Sequence, residues 1–395
     1  MRICLYTTSA LPKLGGQEQV VDILARKLQK QGQEVVVFAP HPRLPLRAAD
    51  DKLPYPVVRH PRFLSNRFLV DWYLHWLSGL YRQFPFDVLH CHGVYPAAYL
   101  ACQFQQRHPI PYAITSHGDL HPESFGMQKS TVRTRIERAV RCADRLIALS
   151  DFIETSYRSL GGISRQILRI PNGVELDTFA QPVKRPADLH ESIRPGNYFL
   201  FLGRLKQRKG VDLLLHALAR MPSDKATQLV IAGDGMQREQ LQELAKELGL
   251  GNRVCFLGPV FDRKKTYLLQ NALCTLMPSR VSEGFGLVAL ESYAAGTPVM
   301  SSNIPGLREL IQHNRTGWLV NEETPEDWAR CLQHISNNPE LCGEKKFAVS
   351  ELVHHYSWDS VTQKYLHMYE NLVSPVVVPA QLTRLPLMPA NELLG

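Results

Sequence analysis

Short apolar runs alternate with amphipathic stretches along both halves of this 395-residue chain, and no other feature limits its possible folds as strongly. The pattern is typical of βα units, in which helices connect the strands of a parallel sheet. A chain of this length also exceeds one ordinary core and suggests two domains. We therefore predict an α/β protein with two doubly wound, Rossmann-like parallel sheets facing each other across a cleft. The predicted strands are 3–7, 34–38, 88–90, 112–115, 146–149, 167–170, 198–202, 228–231, 253–256, 273–277, 298–300 and 318–320.

A proline-rich polar stretch separates the two halves. Residues 181–197 carry three prolines among scattered charges, which disfavours both a helix and a central strand. We interpret this stretch as a linker between domains at 1–180 and 198–357. Residues 374–395 contain four further prolines and no clear periodicity, so a disordered tail is expected there.

Composition indicates a globular protein of the reducing cytosol. The chain is 44% hydrophobic and 21% charged, and it has no apolar run of the length that a transmembrane helix needs. Its first residues resemble a strand and not a signal peptide. The eight cysteines are scattered without a C-x-x-C pair, so neither disulfides nor a structural metal site is expected.

The positive charge is concentrated in the first half. Residues 1–180 carry 22 Lys and Arg against 15 Asp and Glu, whereas the remainder carries 23 against 22. A basic surface attracts anionic lipid, nucleic acid or acidic glycans, and it can also be incidental. No recognised nucleic-acid-binding module is present, so nucleic acid is not expected as a partner.

An aromatic segment near the middle of the first half has a helical pattern. Residues 67–84 include Trp72 and Trp76, and the basic segment 129–145 follows later in the chain. An apolar face with basic flanks can lie on an anionic membrane, which would place the protein at its inner face. The alternative is a helix that faces the core and has a solvated side.

Two glutamates in the second half are separated by seven residues. Glu283 follows the predicted strand 273–277, and Glu291 lies in an apolar helix that a Gly-Phe-Gly turn opens. The backbone N–H groups of Phe285, Gly286 and Leu287 would form a helix N-terminus, where phosphate binds readily. Two carboxylates that accept from hydroxyls, beside amides that bind phosphate, suit a nucleotide sugar. The alternative is a surface loop with ordinary acidic residues.

A cationic loop enters the second domain between a predicted strand and a helix. It contains Gly203, Arg204 and Lys209. Arg204 offers a planar fork of N–H donors and Lys209 a point charge. A departing diphosphate gains negative charge as its bond to the sugar breaks, and fixed cations stabilise that charge in the transition state.

Weaker signals follow other strands. Gly15 and Gly16 lie between the first strand and its helix, where glycine allows close approach to a ligand. His117 follows the strand 112–115, on the ligand side of such a sheet. Asn172 and Gly233 lie in glycine-containing turns. Taken singly, each residue is equally compatible with a tight turn or a structural hydrogen bond.

These motifs, in this order, resemble those of the retaining glycosyltransferases of family 4, which have the GT-B fold. The matching elements are the E-x7-E spacing, the stretch G-R-L-x-x-x-K-G, a glycine loop, a His-Gly pair and a P-N-G-V turn, and the resemblance covers roughly residues 1–373. It implies that the helix 358–373 returns to pack on the first domain. It also implies catalytic roles for His117, Arg204, Lys209 and Glu283. The donor would be bound by Gly15, Gly16, Asn172, Gly203, Gly233, Phe285, Gly286, Leu287 and Glu291.

The resemblance implies that a sugar is transferred from a UDP- or GDP-sugar to a hydroxyl of a glycan or lipid-linked acceptor. No D-x-D triplet occurs in the sequence, so a metal-independent reaction without a cofactor is expected. A nucleotide-sugar epimerase, a phosphorylase that uses pyridoxal phosphate, or a non-catalytic nucleotide-sugar sensor are the alternatives. The sequence leaves the donor base, the sugar, the acceptor and the oligomeric state open.

Overall fold

The computed structural model describes residues 1–13, 15–42, 50–61, 69–222 and 227–374, and the expected disordered tail lies outside them from residue 375 onward. Two separate sheets, both parallel throughout, form the framework. The α/β prediction is therefore confirmed. Within the described ranges, no helix is both long enough and apolar enough to span a bilayer.

The first sheet has seven strands in the order β3-β2-β1-β4-β5-β6-β7. They are β1 (Arg2–Thr7), β2 (Glu34–Pro40), β3 (Val57–His60), β4 (Val88–His92), β5 (Tyr112–Thr115), β6 (Arg145–Ala148) and β7 (Ile167–Arg169). The helices are α1 (Gly16–Lys30), α2 (Leu69–Gln83), α3 (Tyr99–Gln105), α4 (Phe125–Gln128), α5 (Ser130–Cys142), α6 (Asp151–Ser159) and α7 (Leu176–Ala180), with a π-helical turn at Val94–Ala98. Edge strand β3 was not predicted, because its four residues alternate poorly and end in Arg and His.

The second sheet has six strands in the order β10-β9-β8-β11-β12-β13. They are β8 (Tyr198–Leu202), β9 (Gln228–Ala232), β10 (Val254–Gly258), β11 (Cys274–Met277), β12 (Val299–Ser302) and β13 (Gly317–Val320). The helices are α8 (Val211–Arg220), α9 (Arg238–Glu247), α10 (Asp262–Asn271), α11 (Leu287–Ala294), α12 (Pro325–Asn337), α13 (Glu340–Glu344), α14 (Lys346–His354) and α15 (Trp358–Val373). All six strands were predicted from their apolar residues; β8, β9, β11 and β12 are almost fully buried, whereas the edge strand β10 is only partly buried.

Helix α15 leaves the second sheet and packs against α1 and β4 of the first. Its residues Tyr365 and Tyr369 are fully buried there, and Lys27 of α1 forms a 2.7 Å ion pair with Asp359. The C-terminal helix therefore completes the core of the N-terminal sheet.

The aromatic helix α2 has one side that faces the core and also exposes aromatic side chains. Tyr73, Leu74 and Leu77 are buried in the first core, whereas Trp72 is 41% and Trp76 is 38% exposed. The two indoles lie one turn apart and meet edge to face. Residues 67 and 68 of the predicted segment lie outside the described residues.

Candidate active site

The predicted site residues lie in loops that follow the carboxyl ends of strands. In the second domain these are the loop after β8, with Arg204 and Lys209, and the loop after β11, with Glu283. Because β8 and β11 are neighbours in a parallel sheet, their carboxyl ends meet at one edge. The first sheet presents its loops after β1 and β5 toward the same cleft, as the contacts below show.

Glu283 links the second-domain loops through hydrogen bonds. Its Oε1 accepts a hydrogen bond from Lys209 Nζ at 2.6 Å and one from Ser279 Oγ at 2.5 Å. The side chain is buried, and burial raises the pKa of a carboxyl group. The Lys209 ammonium and the two hydrogen bonds outweigh burial, so the pKa of Glu283 is lowered and the group is a carboxylate.

Two glycines permit the close packing around this ion pair. Gly210 has φ +66°, and a Cβ there would lie 2.0 Å from the carbonyl oxygen of Pro278. Gly306 has φ +87°, and a Cβ there would lie 2.0 Å from the carbonyl oxygen of Glu283. Any other residue would push the two loops apart, so these glycines are required for the geometry of the pair.

Arg204 extends from its loop as an exposed side chain. Beneath it, the carbonyl oxygen of Gly203 lies 1.8 Å from where a Cβ of Gly233 would be, so the β8 and β9 loops pack backbone to backbone. In the same loop, Lys206 is also exposed, and nearby Arg204 lowers the pKa of its ammonium group. Several cations are thus held close together with few counter-charges.

Helix α11 begins at Leu287, after Gly286 in the left-handed conformation at φ +94°, and Phe285 before it is buried. The first amides of the helix have no partner within it. Glu291 lies inside this helix, and its Oε1 accepts from Lys265 Nζ at 2.5 Å. Lys265 in turn lies over the ring of Phe179.

Both domains meet at the segment that joins the two glutamates. A Cβ on Gly16 would lie 3.0 Å from Leu287 Cδ1, and a Cβ on Gly284 would lie 3.1 Å from the amide nitrogen of Gly118. Ser150 Oγ also donates to the carbonyl oxygen of Gly284 at 2.8 Å. The glycine loop and the His117–Gly118 loop therefore face the Glu283 loop directly.

His117 is partly buried beside two further histidines of β4. His117 Nε2 lies 3.0 Å from His92 Nδ1, and burial lowers the pKa of His117 to about 4. Asn172 is buried in the loop after β7, and within the described residues its Oδ1 has no hydrogen-bond partner. No contact in the described part of the chain joins Asn172 to Glu283 or Lys209.

Sequence reasoning missed His92, Ser279 and Lys265. The predicted strand 88–90 stopped two residues early, and the alternation His90-x-His92 could have shown that both rings lie on one face. Ser279 and Lys265 carried no signal of their own, because their role depends on tertiary contacts with the two glutamates.

No group of three or more His, Cys, Asp or Glu side chains among the described residues is arranged to hold a metal ion. All eight cysteines are free, and Cys4 and Cys274 are buried in strands as expected. Metal independence stays a prediction.

Two family models match the chain. The model "Glycosyltransferase Family 4" matches residues 14–178, and "Glycosyl transferases group 1" matches residues 190–346. Together they cover every strand except β1, and all of the predicted site residues lie within the two matched ranges. The chain belongs to glycosyltransferase family 4. It is a glycosyltransferase with the GT-B fold.

The similarity of this family 4 enzyme to its relatives extends over most of its length. An uncharacterized glycosyltransferase of Methanocaldococcus jannaschii is 25% identical over 94% of the chain and 98% of the relative. A D-inositol 3-phosphate glycosyltransferase of Streptosporangium roseum is 29% identical over 82% of the chain and 81% of the relative.

Solved structures support the fold. Sucrose-phosphate synthase from Thermosynechococcus elongatus superimposes with a TM-score of 0.79 at 24% identity, covering 94% of this chain and 98% of the other. Anabaena HepE in complex with UDP and glucose superimposes with a TM-score of 0.78 at 19% identity, covering 94% of this chain and 100% of the other. At these identities the similarity establishes the GT-B architecture of this family 4 enzyme.

Proposed function

We propose that this family 4 enzyme transfers a sugar from a nucleoside-diphosphate sugar, UDP- or GDP-linked, to a hydroxyl with retention of configuration. The observation that carries the proposal is the Lys209–Glu283 pair, whose lysine shares the loop after β8 with Arg204 and which lies opposite the first-domain loops. It sets a cation for a diphosphate next to a carboxylate for sugar hydroxyls. Anabaena HepE, which shares the fold, has been solved with UDP-glucose.

The two side chains of the pair suit the two parts of such a donor, Glu283 the sugar and Lys209 the diphosphate. Lys209 and Ser279 both donate to Glu283 Oε1, and within the described residues Oε2 has no recorded donor. Oε2 is therefore available to accept from a sugar hydroxyl. An ammonium has three N–H donors, and Lys209 uses one on Glu283, so two are left for phosphate oxygens.

The same groups account for the chemistry. The bond between the anomeric carbon and the phosphate oxygen breaks, and the acceptor oxygen bonds to that carbon on the same face. The departing phosphate oxygen takes the acceptor proton, so no enzymic nucleophile is needed. Arg204, Lys209 and the first amides of α11 stabilise the charge that grows on the diphosphate.

The first experiment is a thermal-shift screen of UDP- and GDP-sugars, followed by radiolabelled transfer to glycan and lipid acceptors with NMR of the product's anomeric configuration. Stabilisation by a nucleotide sugar, followed by acceptor-dependent transfer with retention, supports the proposal. Inversion, or no stabilisation by any nucleotide sugar, contradicts it. Binding without transfer favours a sensor, release of nucleotide without acceptor favours an epimerase, and absorbance from bound pyridoxal phosphate favours a phosphorylase.

We also propose that the acceptor is lipid-linked or a growing surface glycan reached at an anionic membrane, as in polysaccharide biosynthesis. The supporting observation is one surface of the first domain, which we call the α2–α5 face. There α2, α3 and α5 pack side by side and expose aromatic and basic residues. Its exposed members are Trp72, Trp76, Lys129, Arg133, Arg138 and Arg141. Indoles and cations together suit a membrane interface.

A further inference from the structure

Three histidines of the first domain, of which His90 and His92 are buried and His117 is partly buried, form a connected cluster. His90 Nδ1 lies 2.6 Å from Tyr369 Oη and His90 Nε2 lies 2.8 Å from Thr115 Oγ1, so both ring nitrogens of His90 have partners. Its ring contacts that of His92 with centroids 4.2 Å apart. His92 Nδ1 then lies 3.0 Å from His117 Nε2. The cluster thus runs from helix α15 to the His117 loop.

The contact between His92 and His117 is a hydrogen bond in the plane of both rings. The rings are inclined by only 15°, and their centroids are 5.3 Å apart, as expected when two imidazoles meet nitrogen to nitrogen. A hydrogen bond between two ring nitrogens needs one N–H and one lone pair. Burial lowers the pKa of His92 well below its ordinary value and that of His117 to about 4, so both rings are neutral near pH 7.

Two tautomer arrangements satisfy that bond, and they differ at His92 Nε2. This atom is buried and has no partner among the described residues. If His117 were the donor, His92 would carry its proton on Nε2, which would be a buried N–H without an acceptor. If His92 Nδ1–H is the donor, Nε2 has only an unused lone pair. An orphaned buried N–H is the rarer and costlier state, so the second arrangement is favoured.

We infer that His92 is a positioning residue that fixes His117 as the Nδ1–H tautomer, so that His117 donates a hydrogen bond from Nδ1 to an oxygen of the donor. The inference rests on the proposed function, because it takes His117 to face the nucleotide sugar. His92 is itself held from two sides. Its ring packs against that of His90 at an interplanar angle of 42°, and its carbonyl oxygen accepts from Gln17 Nε2, next to the glycine loop, at 2.9 Å.

The direct test needs no activity. Long-range ¹H–¹⁵N correlation NMR on the full chain, labelled with ¹⁵N-histidine, distinguishes the two neutral tautomers, and the H117Q variant assigns the signals of His117. The expected result is a neutral His117 with its proton on Nδ1. A proton on Nε2, or an imidazolium near pH 7, overturns the inference even if the enzyme transfers sugar as proposed.

The functional test compares two substitutions of similar size. His92→Asn keeps an N–H donor close to the position of Nδ1, whereas His92→Leu removes it. We expect H92L to lower kcat roughly 10- to 100-fold with little change in donor KM, and H92N to stay within a few-fold of the unmutated enzyme. Equal losses in both variants, or none in either, contradict a positioning role.

The two proposals fail in different ways. Absence of transfer by the unmutated chain with any nucleotide sugar refutes the proposed function, and the tautomer of His117 can still be measured. Should H92L not fold, NMR on the unmutated chain together with the kcat of H92N still decides the inference.

Discussion

Lys209 Nζ lies 2.6 Å from Glu283 Oε1, and this contact joins the loops after β8 and β11 into one unit. The two residues are 74 positions apart in the sequence but follow neighbouring strands of one sheet. The Lys209 ammonium helps to keep the buried Glu283 carboxylate ionised, and the same ammonium is proposed to bind the diphosphate.

The first prediction concerns the phosphate-binding cations. Arg204→Ala or Lys209→Ala should lower turnover by two or more decades, because each removes charge stabilisation worth about 3 kcal/mol. Lys206→Ala is the matched control, since Lys206 is an exposed cation of the same loop and lies off the motif. Turnover is measured with thermal unfolding beside it, because K209A leaves Glu283 without its counter-charge. Near-normal turnover in both R204A and K209A would refute the assignment.

The second prediction concerns the other glutamate. Glu291→Gln should weaken nucleotide binding about tenfold, because a charge-assisted hydrogen bond contributes about 1.5–3 kcal/mol. Lys265→Met should weaken nucleotide binding less. This substitution removes the ammonium that lies 2.5 Å from Glu291 Oε1 but leaves the Glu291 carboxylate in place. Calorimetric titration with UDP and GDP measures both. Glu243→Gln is the control, because Glu243 pairs with Lys246 on an exposed surface. Unchanged affinity in E291Q would show that Glu291 does not bind the nucleotide.

The third prediction concerns metal. Activity should survive dialysis against excess EDTA, because arginine, lysine and helix amides are proposed to stabilise the leaving group, and the sequence has no D-x-D triplet. Turnover before and after dialysis is the measurement. Complete loss that only Mn²⁺ or Mg²⁺ restores would mean that a cation supplies the stabilisation.

Much of this architecture could be predicted, because its central strands are largely apolar and buried on both faces. Such strands stand out in a sequence wherever helices cover a parallel sheet. The edge strand β3 does not, since Arg59 and His60 make half of it polar. The exposure of Trp72 and Trp76 could not be predicted either, because periodicity does not show which other elements will cover a helix face.

The site residues also fall into two groups, those that the sequence indicates and those that only the structure shows. Glu283, Arg204 and Lys209 stand in motifs whose glycines and spacing are visible in the sequence. Lys265 and His92 are recognised only through tertiary contacts, with Glu291 and His117 respectively. Their partners lie 26 and 25 residues away on other elements, and no local pattern encodes such a pairing.

The fourth prediction concerns the histidine cluster and pH. Burial lowers the pKa of His90 to about 3 and that of His117 to about 4. Between these values and the ordinary pKa of about 6.5, the unfolded chain binds protons that the folded chain does not. The free energy of unfolding should therefore fall as pH is lowered through this window, by up to about 1.4 kcal/mol per pH unit for each histidine.

Urea unfolding between about pH 5 and pH 7 measures this slope. His90→Gln should reduce the slope by about one proton, whatever its effect on absolute stability. His75→Gln, at an exposed position of α2, serves as the control. An identical slope in H90Q would show that His90 is not neutral in the folded protein.

The fifth prediction concerns the α2–α5 face and anionic membrane. The protein should co-sediment with vesicles that contain acidic lipid at low ionic strength, and salt should weaken this binding, because each cation near such a surface contributes about 1 kcal/mol.

Replacing Trp72 and Trp76 by serine should reduce binding without unfolding the domain, since both indoles are exposed while the apolar core of α2 is untouched. Replacing Arg133 and Arg138 by serine should reduce it and flatten the salt dependence. Phe347→Ser is the control, because Phe347 is 80% exposed on the second domain. If binding is absent at low salt or equal on neutral vesicles, the acceptor is better sought among soluble oligosaccharides, and the paired tryptophans need another partner.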